Sequence, residues 1–202
     1  MRRILPILVF AAGFLLSAGL PEKTPFVLLI DAGHGGKDPG YVHHAEAPHE
    51  KDITLALAQT LKDIADQHPH FKVYTLRETD EFVDLKTRAK VAQVLKPDLL
   101  ISLHLEAQKE GNALSCRVDG QSKQKKYSTS YARQILKGFQ NKSHWQANPK
   151  PEEFNSFLLR EAACPAVLLT AGNLAMPEAQ EFWSQPENQK AFAQEILSAL
   201  SQ

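Results

Sequence analysis

The sequence predicts an α/β protein: a single domain with a mainly parallel central sheet and helices on both faces. Three observations carry that reading. Strand-like runs at 26–30, 71–76 and 98–104 alternate with helical periodicity at 53–65 and 85–95, giving a β-α-β-α-β order. The first run, Phe26 to Ile30, is apolar throughout, as in a strand covered on both sides. Beyond a leader-like start, about 183 of the 202 residues remain, enough for one well-buried domain and few for two.

In chain order, Met1-Arg2-Arg3 is a cationic start, Ile4 to Leu16 is apolar, and Ser17-Ala18-Gly19 are small. This is the pattern of a cleaved secretory signal over residues 1–19, leaving 20–202 as the functional domain. The apolar run falls short of the ~20 residues a membrane-spanning helix needs. That argues against a stable membrane anchor and for export to the periplasm or cell envelope. The strand from Phe26 stops at Asp31-Ala32-Gly33-His34-Gly35-Gly36, which cannot continue a regular element. After a loop to Pro48, Ile53, Leu57, Leu61, Ile64 and Ala65 recur at helical spacing. Phe71 to Leu76 alternates as a strand, and Leu85, Ala89, Ala92 and Leu95 mark a second helix before the strand 98–104. A weaker strand is expected at 113–118 and a helix near 128–139. A polar, Pro-containing loop over 141–153, a strand at 165–170 and a last helix at 187–200 follow.

Charge excludes one class of partner. The chain carries 23 basic and 23 acidic residues, and without Arg2 and Arg3 the balance is 21 to 23, a net −2. Nucleic acid as the main partner needs clustered basic surface, which is absent. The one basic run, Lys123 to Lys126, sits in a Gln/Ser-rich turn and reads as a solvated loop. Export permits a disulfide between Cys116 and Cys164, but their apolar contexts suit buried thiols equally. Their spacing excludes a cysteine-type zinc knot.

In open parallel sheets the ligand site lies beyond the carboxyl ends of the strands. His34 stands just past the first strand, and His104 ends the strand 98–104, within Ile-Ser-Leu-His104-Leu-Glu106-Ala. Alternation puts His104 and Glu106 on one face of that strand. The Gly-rich loop around His34 lacks phosphate-binding spacing, and Pro39 breaks the helix start such a loop needs. Glu50 opens the first helix, where the helix dipole favours a carboxylate in any role. It reaches the same sheet edge if the 31–48 loop folds back. Two neutral imidazoles and one carboxylate then form a three-ligand zinc set with a fourth position open for water.

Several motifs, in order, carry a family resemblance. They are Asp31-Ala-Gly-His34-Gly-Gly-Lys-Asp-Pro-Gly40, Glu50-Lys-Asp-Ile-Thr-Leu55, Leu76-Arg-Glu-Thr-Asp80 and Ile101-Ser-Leu-His104. Over roughly 26–175 the chain resembles the zinc-dependent N-acetylmuramoyl-L-alanine amidases of the third amidase family, which release stem peptide from peptidoglycan glycan. The resemblance implies that His34, Glu50 and His104 hold Zn2+ and that peptidoglycan or a muropeptide is the substrate. His43, His44 and His49 match no ligand position and read as loop surface. The last strand departs from the family text: Pro165-Ala-Val-Leu-Leu-Thr170-Ala171-Gly172 carries Thr170 where a catalytic glutamate is usual. Threonine cannot accept a proton near neutral pH. Glu106 stands where an asparagine is expected, so Glu106 is the candidate substitute base, ahead of Glu161 and Glu110. Asp31 or a backbone carbonyl is expected to fix a histidine tautomer. Two other readings stand beside the amidase: a catalytically silent, zinc-bound peptidoglycan-binding or regulatory module, and a zinc peptidase or carboxypeptidase. With no separate wall-binding repeat in the sequence, targeting falls to the catalytic surface or to a cell-wall protein partner.

Overall fold

The computed structural model describes residues 24–42, 47–106, 113–140, 142 and 145–202. The signal-like residues 1–19 lie outside the described residues, as do His43, His44 and Glu110. The described chain forms β1 (Phe26–Ala32), α1 (Glu50–Ala65), β2 (Phe71–Thr75), α2 (Leu85–Leu95), β3 (Leu99–Glu106), β4 (Ala113–Asp119) and α3 (Lys125–Phe139). It continues through β5 (Gln146–Ala147), β6 (Glu152–Phe154), α4 (Phe157–Glu161), β7 (Ala166–Asn173), α5 (Pro177–Ser184) and α6 (Pro186–Leu200). The sheet runs β2-β1-β3-β7-β4-β5, with β6 also pairing β4. Strands β2, β1, β3 and β7 are mutually parallel, and β4 lies antiparallel to β7. The expected α/β class and mainly parallel sheet are therefore observed.

Strand alternation splits the core into two layers. Leu28, Ile30, Ile101, Leu103, Val167 and Leu169 face α1, α3 and α6, while Leu29, Leu100 and Ala166 face α2 and α4. Each fully buried leucine in these layers contributes about 1.5–3 kcal/mol. Local signals set the helix starts. Asp84 caps α2, its Oδ1 accepting from the backbone N–H of Lys86 at 3.0 Å and of Thr87 at 3.1 Å. Asp52 in the first turn of α1 accepts from the His49 backbone N–H at 3.0 Å. Pro177 and Pro186 open α5 and α6, where a missing N–H costs nothing.

Three expectations are corrected. The loop expected at 141–153 contains β5 and β6, two short strands that borrow their register from β4. Helices α4 and α5 are too short to show a periodic stripe and went unpredicted. The last strand runs on past Thr170 to Asn173, because a register shift against β3 absorbs one residue near Gly172, whose φ is +132°. No helix among the described residues is long and apolar enough to cross a membrane.

Both cysteines are free and buried, in different core layers: Cys116 on the α3 side and Cys164 on the α4 side. Burial alone pushes the Cys116 thiol far up, and burial pushes Cys164 up to about 11. In the native protein neither thiol should react with Ellman's reagent at pH 8. Two equivalents should appear on unfolding in guanidinium, and rapid native-state labelling would contradict this placement.

Candidate metal centre

Along the α2-facing side of the sheet, the side chains change character towards the carboxyl edge. Leu29 and Leu100 are apolar core, Asp31 and Ser102 come next in register, and His104 follows. Ser102 Oγ donates to Asp31 Oδ2 at 2.6 Å, and the Arg88 guanidinium pairs with the other oxygen of Asp31. This is a buried, engaged polar layer beneath the candidate metal donors.

The loop after β1 then turns sharply. His34 adopts a left-handed backbone, φ +63°, which costs a non-glycine residue about 1–2 kcal/mol. Two arginines hold it there. Arg88 donates to the Ala32 carbonyl at 2.9 Å and the His34 carbonyl at 2.6 Å. Arg77 donates to the carbonyls of Ala32 at 3.0 Å, Gly33 at 3.0 Å and Lys51 at 2.7 Å. Burial, and then the charge of Arg88 nearby, hold the Arg77 pKa below its ordinary value. Charge-assisted hydrogen bonds are worth about 1.5–3 kcal/mol each, enough to offset the turn.

The loop folds back over the edge, as the three-ligand reading requires. Glu50 N–H donates to the Tyr41 carbonyl at 3.0 Å, and Lys51 N–H to that of Pro39 at 3.2 Å. Two glycines permit the approach. A Cβ on Gly33 would lie 2.5 Å from His104 Cε1, and one on Gly40, where φ is +65°, would lie 2.7 Å from Glu50 Oε2. The result is convergence: Glu50 Oε1 lies 3.1 Å from His34 Nε2 and 3.0 Å from His104 Nδ1. One donor atom from each of the three residues falls within 4.8 Å of the others.

Zinc–nitrogen bonds of 2.0–2.1 Å in a tetrahedron put ligand atoms about 3.3 Å apart, near the two separations that Glu50 makes with the histidines, so this donor set could hold a zinc ion. The surroundings also suit one. Glu50 Oε2 accepts from the Tyr41 N–H and Oε1 from the Leu105 N–H, each at 3.0 Å. His34 presents Nε2 to the cluster while Nδ1 meets Asp38 Oδ2 at 3.0 Å, the carboxylate–histidine arrangement that fixes a ligand's tautomer. Asp38 thus takes the orienting role expected of Asp31 or a carbonyl. Asp31 is instead committed to Arg88 and Ser102.

Electrostatics couple the groups of the cluster to one another. Burial pushes the Glu50 carboxyl up, but hydrogen bonds with His104 and His34 outweigh it and hold the group well below the usual carboxylate range. Burial pushes the His34 imidazolium down. Hydrogen bonding and charge from Glu50, and then from Asp38, outweigh that and raise its pKa above the ordinary value.

Thr170 lies directly beside His104 in the β3–β7 register and is 1% exposed, its Oγ1 without a hydrogen-bond partner among the described residues. The backbone of Glu106 ends β3, and its side chain lies outside the described residues. Glu161 ends α4, its carboxylate 3.5 Å from Arg160 Nε. His49 precedes α1 and contributes no donor to the cluster. Asp38, Arg77 and Arg88 are the site residues that sequence reasoning missed. Asp38 and Arg77 fall inside quoted motifs. Arg88 stands three residues after Leu85 and four before Ala92, a charge on an apolar stripe, and that was its only signal.

Two imidazoles and a carboxylate gathered at the carboxyl edge of a parallel sheet make an α/β domain with a group that could hold a metal ion. Residues 28–202 match the Amidase_3 family, N-acetylmuramoyl-L-alanine amidase, and the chain belongs to that family. It is 36% identical over 86 residues to N-acetylmuramoyl-L-alanine amidase AmiC of Escherichia coli O6:H1. That match covers 43% of this chain and 20% of the relative's length. An N-acetylmuramoyl-L-alanine amidase from Clostridium difficile 630 superposes with a TM-score of 0.79 at 25% identity, covering 88% of this chain and 96% of that one. The catalytic domain of CwlV, an amidase from Bacillus (Paenibacillus) polymyxa var. colistinus, gives 0.77 at 29% identity, covering 87% and 96%.

Because His34 must be neutral to bind metal, zinc affinity should fall as pH drops through its raised pKa. Chelator-competition titrations between pH 8 and 5.5 should show affinity falling progressively. Affinity independent of pH over that range would contradict the donor assignment.

Proposed function

We propose that the protein is an exported, zinc-dependent N-acetylmuramoyl-L-alanine amidase that hydrolyses the amide joining the lactyl group of N-acetylmuramic acid to L-alanine in peptidoglycan. The observation that carries this reading is the His34–Glu50–His104 donor cluster at the sheet edge, in a chain of the amidase family. A zinc ion held by these three side chains would lower the pKa of water to about 7 and polarise the scissile carbonyl. Asp38 holds His34 with Nε2 free to ligate, and the Tyr41 and Leu105 amides hold the Glu50 carboxylate in place.

Glu106 is assigned as the proton acceptor that returns the proton to the leaving amine of L-alanine. Support for this is the two-residue alternation from His104 along β3 and the inability of Thr170 to do the same work. General acid–base assistance is typically worth ~10²–10⁴-fold, so the Glu106 assignment decides between a competent enzyme and a slow one. The signal-like start over residues 1–19 supports export, and targeting would come from the catalytic surface or from a cell-wall protein partner.

The test is to incubate the purified, zinc-loaded protein with defined muropeptides and identify products by mass spectrometry, with Glu106→Gln in parallel. Free stem peptide beginning at L-alanine is expected, with the rate in Glu106→Gln reduced ~10²-fold or more. Equal rates would remove Glu106 from the mechanism. Cleavage within the stem would make the protein a peptidase. No cleavage by folded, zinc-loaded protein would favour a silent module, with Thr170 in place of the usual glutamate as the reason.

A further inference from the structure

Between Asp119 and Glu152 the chain carries six lysines, one arginine and no acidic residue, in a sequence balanced at 23 of each sign. Helix α3 lies within that segment and sorts its residues by face. Ser128, Ala132, Ile135, Leu136 and Phe139 are buried. Lys126, Ser130, Arg133 and Lys137, at i, i+4, i+7 and i+11, form one exposed stripe on the opposite side. Lys123 stands exposed just before the helix, and Tyr127 is 59% exposed next to Lys126.

Most of these charges have no counterpart inside the protein. Lys125 pairs with Glu153 at 2.7 Å, and Lys142 with Glu195 at 2.9 Å. Lys123, Lys126, Arg133 and Lys137 have no ion-pair partner among the described residues. Those at the start of α3 do not serve the helix either. Its first turn holds no acidic residue, and Lys125 and Lys126 there oppose the helix dipole. Unpaired cations gathered on one face fit an anionic surface outside the fold.

The patch starts at the end of the sheet opposite the donor cluster. Ser128 Oγ accepts from the Ala166 N–H, at the start of β7, at 3.0 Å. Tyr131 meets Phe26, the first residue of β1, with ring centroids 5.8 Å apart. His34 and His104 stand at the other ends of the strands. Thr24 lines the same cleft as Phe26 and Tyr131. The link from Gly19 to Thr24 spans at most about 18 Å, so the leader-like residues 1–19 join the domain near this helix.

We infer that the outer face of α3 docks on an anionic lipid surface, with Lys123, Lys126, Arg133 and Lys137 at the lipid phosphates and Tyr127 at headgroup level. This rests on the exported-amidase reading. A helix face bearing spaced cations and one exposed aromatic ring suits a bilayer surface, and the nearby leader places the membrane on this side. Attachment there turns the donor cluster away from the bilayer and leaves the carboxyl edge open to substrate. The contact is electrostatic and reversible, unlike a membrane-spanning anchor.

The test is sedimentation of protein recovered after export with vesicles of phosphatidylglycerol and phosphatidylcholine, against vesicles of phosphatidylcholine alone. Binding to the anionic vesicles is expected at ~0.1 M salt, with release at ~0.5 M. Lys126→Gln combined with Arg133→Gln should weaken it about tenfold or more. Lys90→Gln combined with Lys96→Gln removes the same charge from α2, on the other side of the sheet, and should leave binding as in the wild type. Equal binding to neutral and anionic vesicles would assign attachment to the leader-like residues and overturn the proposal. Equal weakening in both double variants would overturn it too, since net charge alone would then be acting. So would binding of inorganic polyphosphate without binding of anionic vesicles, since the face would then belong to a polymeric anion. Soluble muropeptides should be cleaved by Lys126→Gln with Arg133→Gln as by the wild type. Failure of the amidase reading shows separately, as absent cleavage with vesicle binding intact.

Discussion

Two buried guanidinium groups hold the functional end of this molecule together. Arg77 and Arg88 come from different segments, yet both close on the carbonyls of the β1 exit, and each is under 5% exposed. Without them the Ala32 and His34 carbonyls at this turn would lose their arginine donors, each costing about 1–3 kcal/mol, and the Gly33 carbonyl would keep only Thr54 Oγ1. Arg77 also reaches the Lys51 carbonyl, joining the start of α1 to the same turn and so fixing Glu50 relative to His34. One planar fork therefore sets the relation between two of the three candidate metal donors. Asp31 keeps this affordable by neutralising Arg88, and breaking such a buried pair by removing one partner typically costs about 3–5 kcal/mol.

The third donor comes from sheet register instead. β3 pairs with β1 so that Ala32 lies beside Leu103, and His104 emerges one residue later into the space that Gly33 leaves open. A strand buried enough to read Leu-Leu-Ile-Ser-Leu can deliver a histidine at its exit because the face beneath turns polar in steps. Ser102 spends its hydroxyl on Asp31, so no polar group in that layer competes for the histidine. Packing sets where the chain goes, and Asp38, meeting His34 Nδ1, leaves His34 Nε2 facing the cluster.

Much of this was legible from sequence because it follows from periodicity and punctuation. Apolar runs ending in Gly-rich turns gave the order of strands, and His34, Glu50 and His104 could be brought together by topology and family motif. What could not be read was partnership between distant positions. Nothing local distinguishes Arg88 from a surface arginine of α2; its burial depends on Asp31, 57 positions away. Asp38 was hidden in a different way, since a carboxylate four residues from His34 orients it only once the loop has turned back. Short elements such as β5, β6 and α4 escaped because neighbours set their conformation, and two to five residues are too few to show a period.

Arg77 acts on the candidate metal site through its fork and not through charge alone. The measurement is the zinc dissociation constant of Arg77→Lys, by chelator competition at pH 7.5 and at a temperature where circular dichroism shows the variant folded. Lysine keeps the charge but cannot bridge the Ala32, Gly33 and Lys51 carbonyls together. The account predicts zinc binding weakened about 10- to 100-fold, as for other residues that orient metal ligands. A folded Arg77→Lys protein that binds zinc as tightly as the wild type would contradict it.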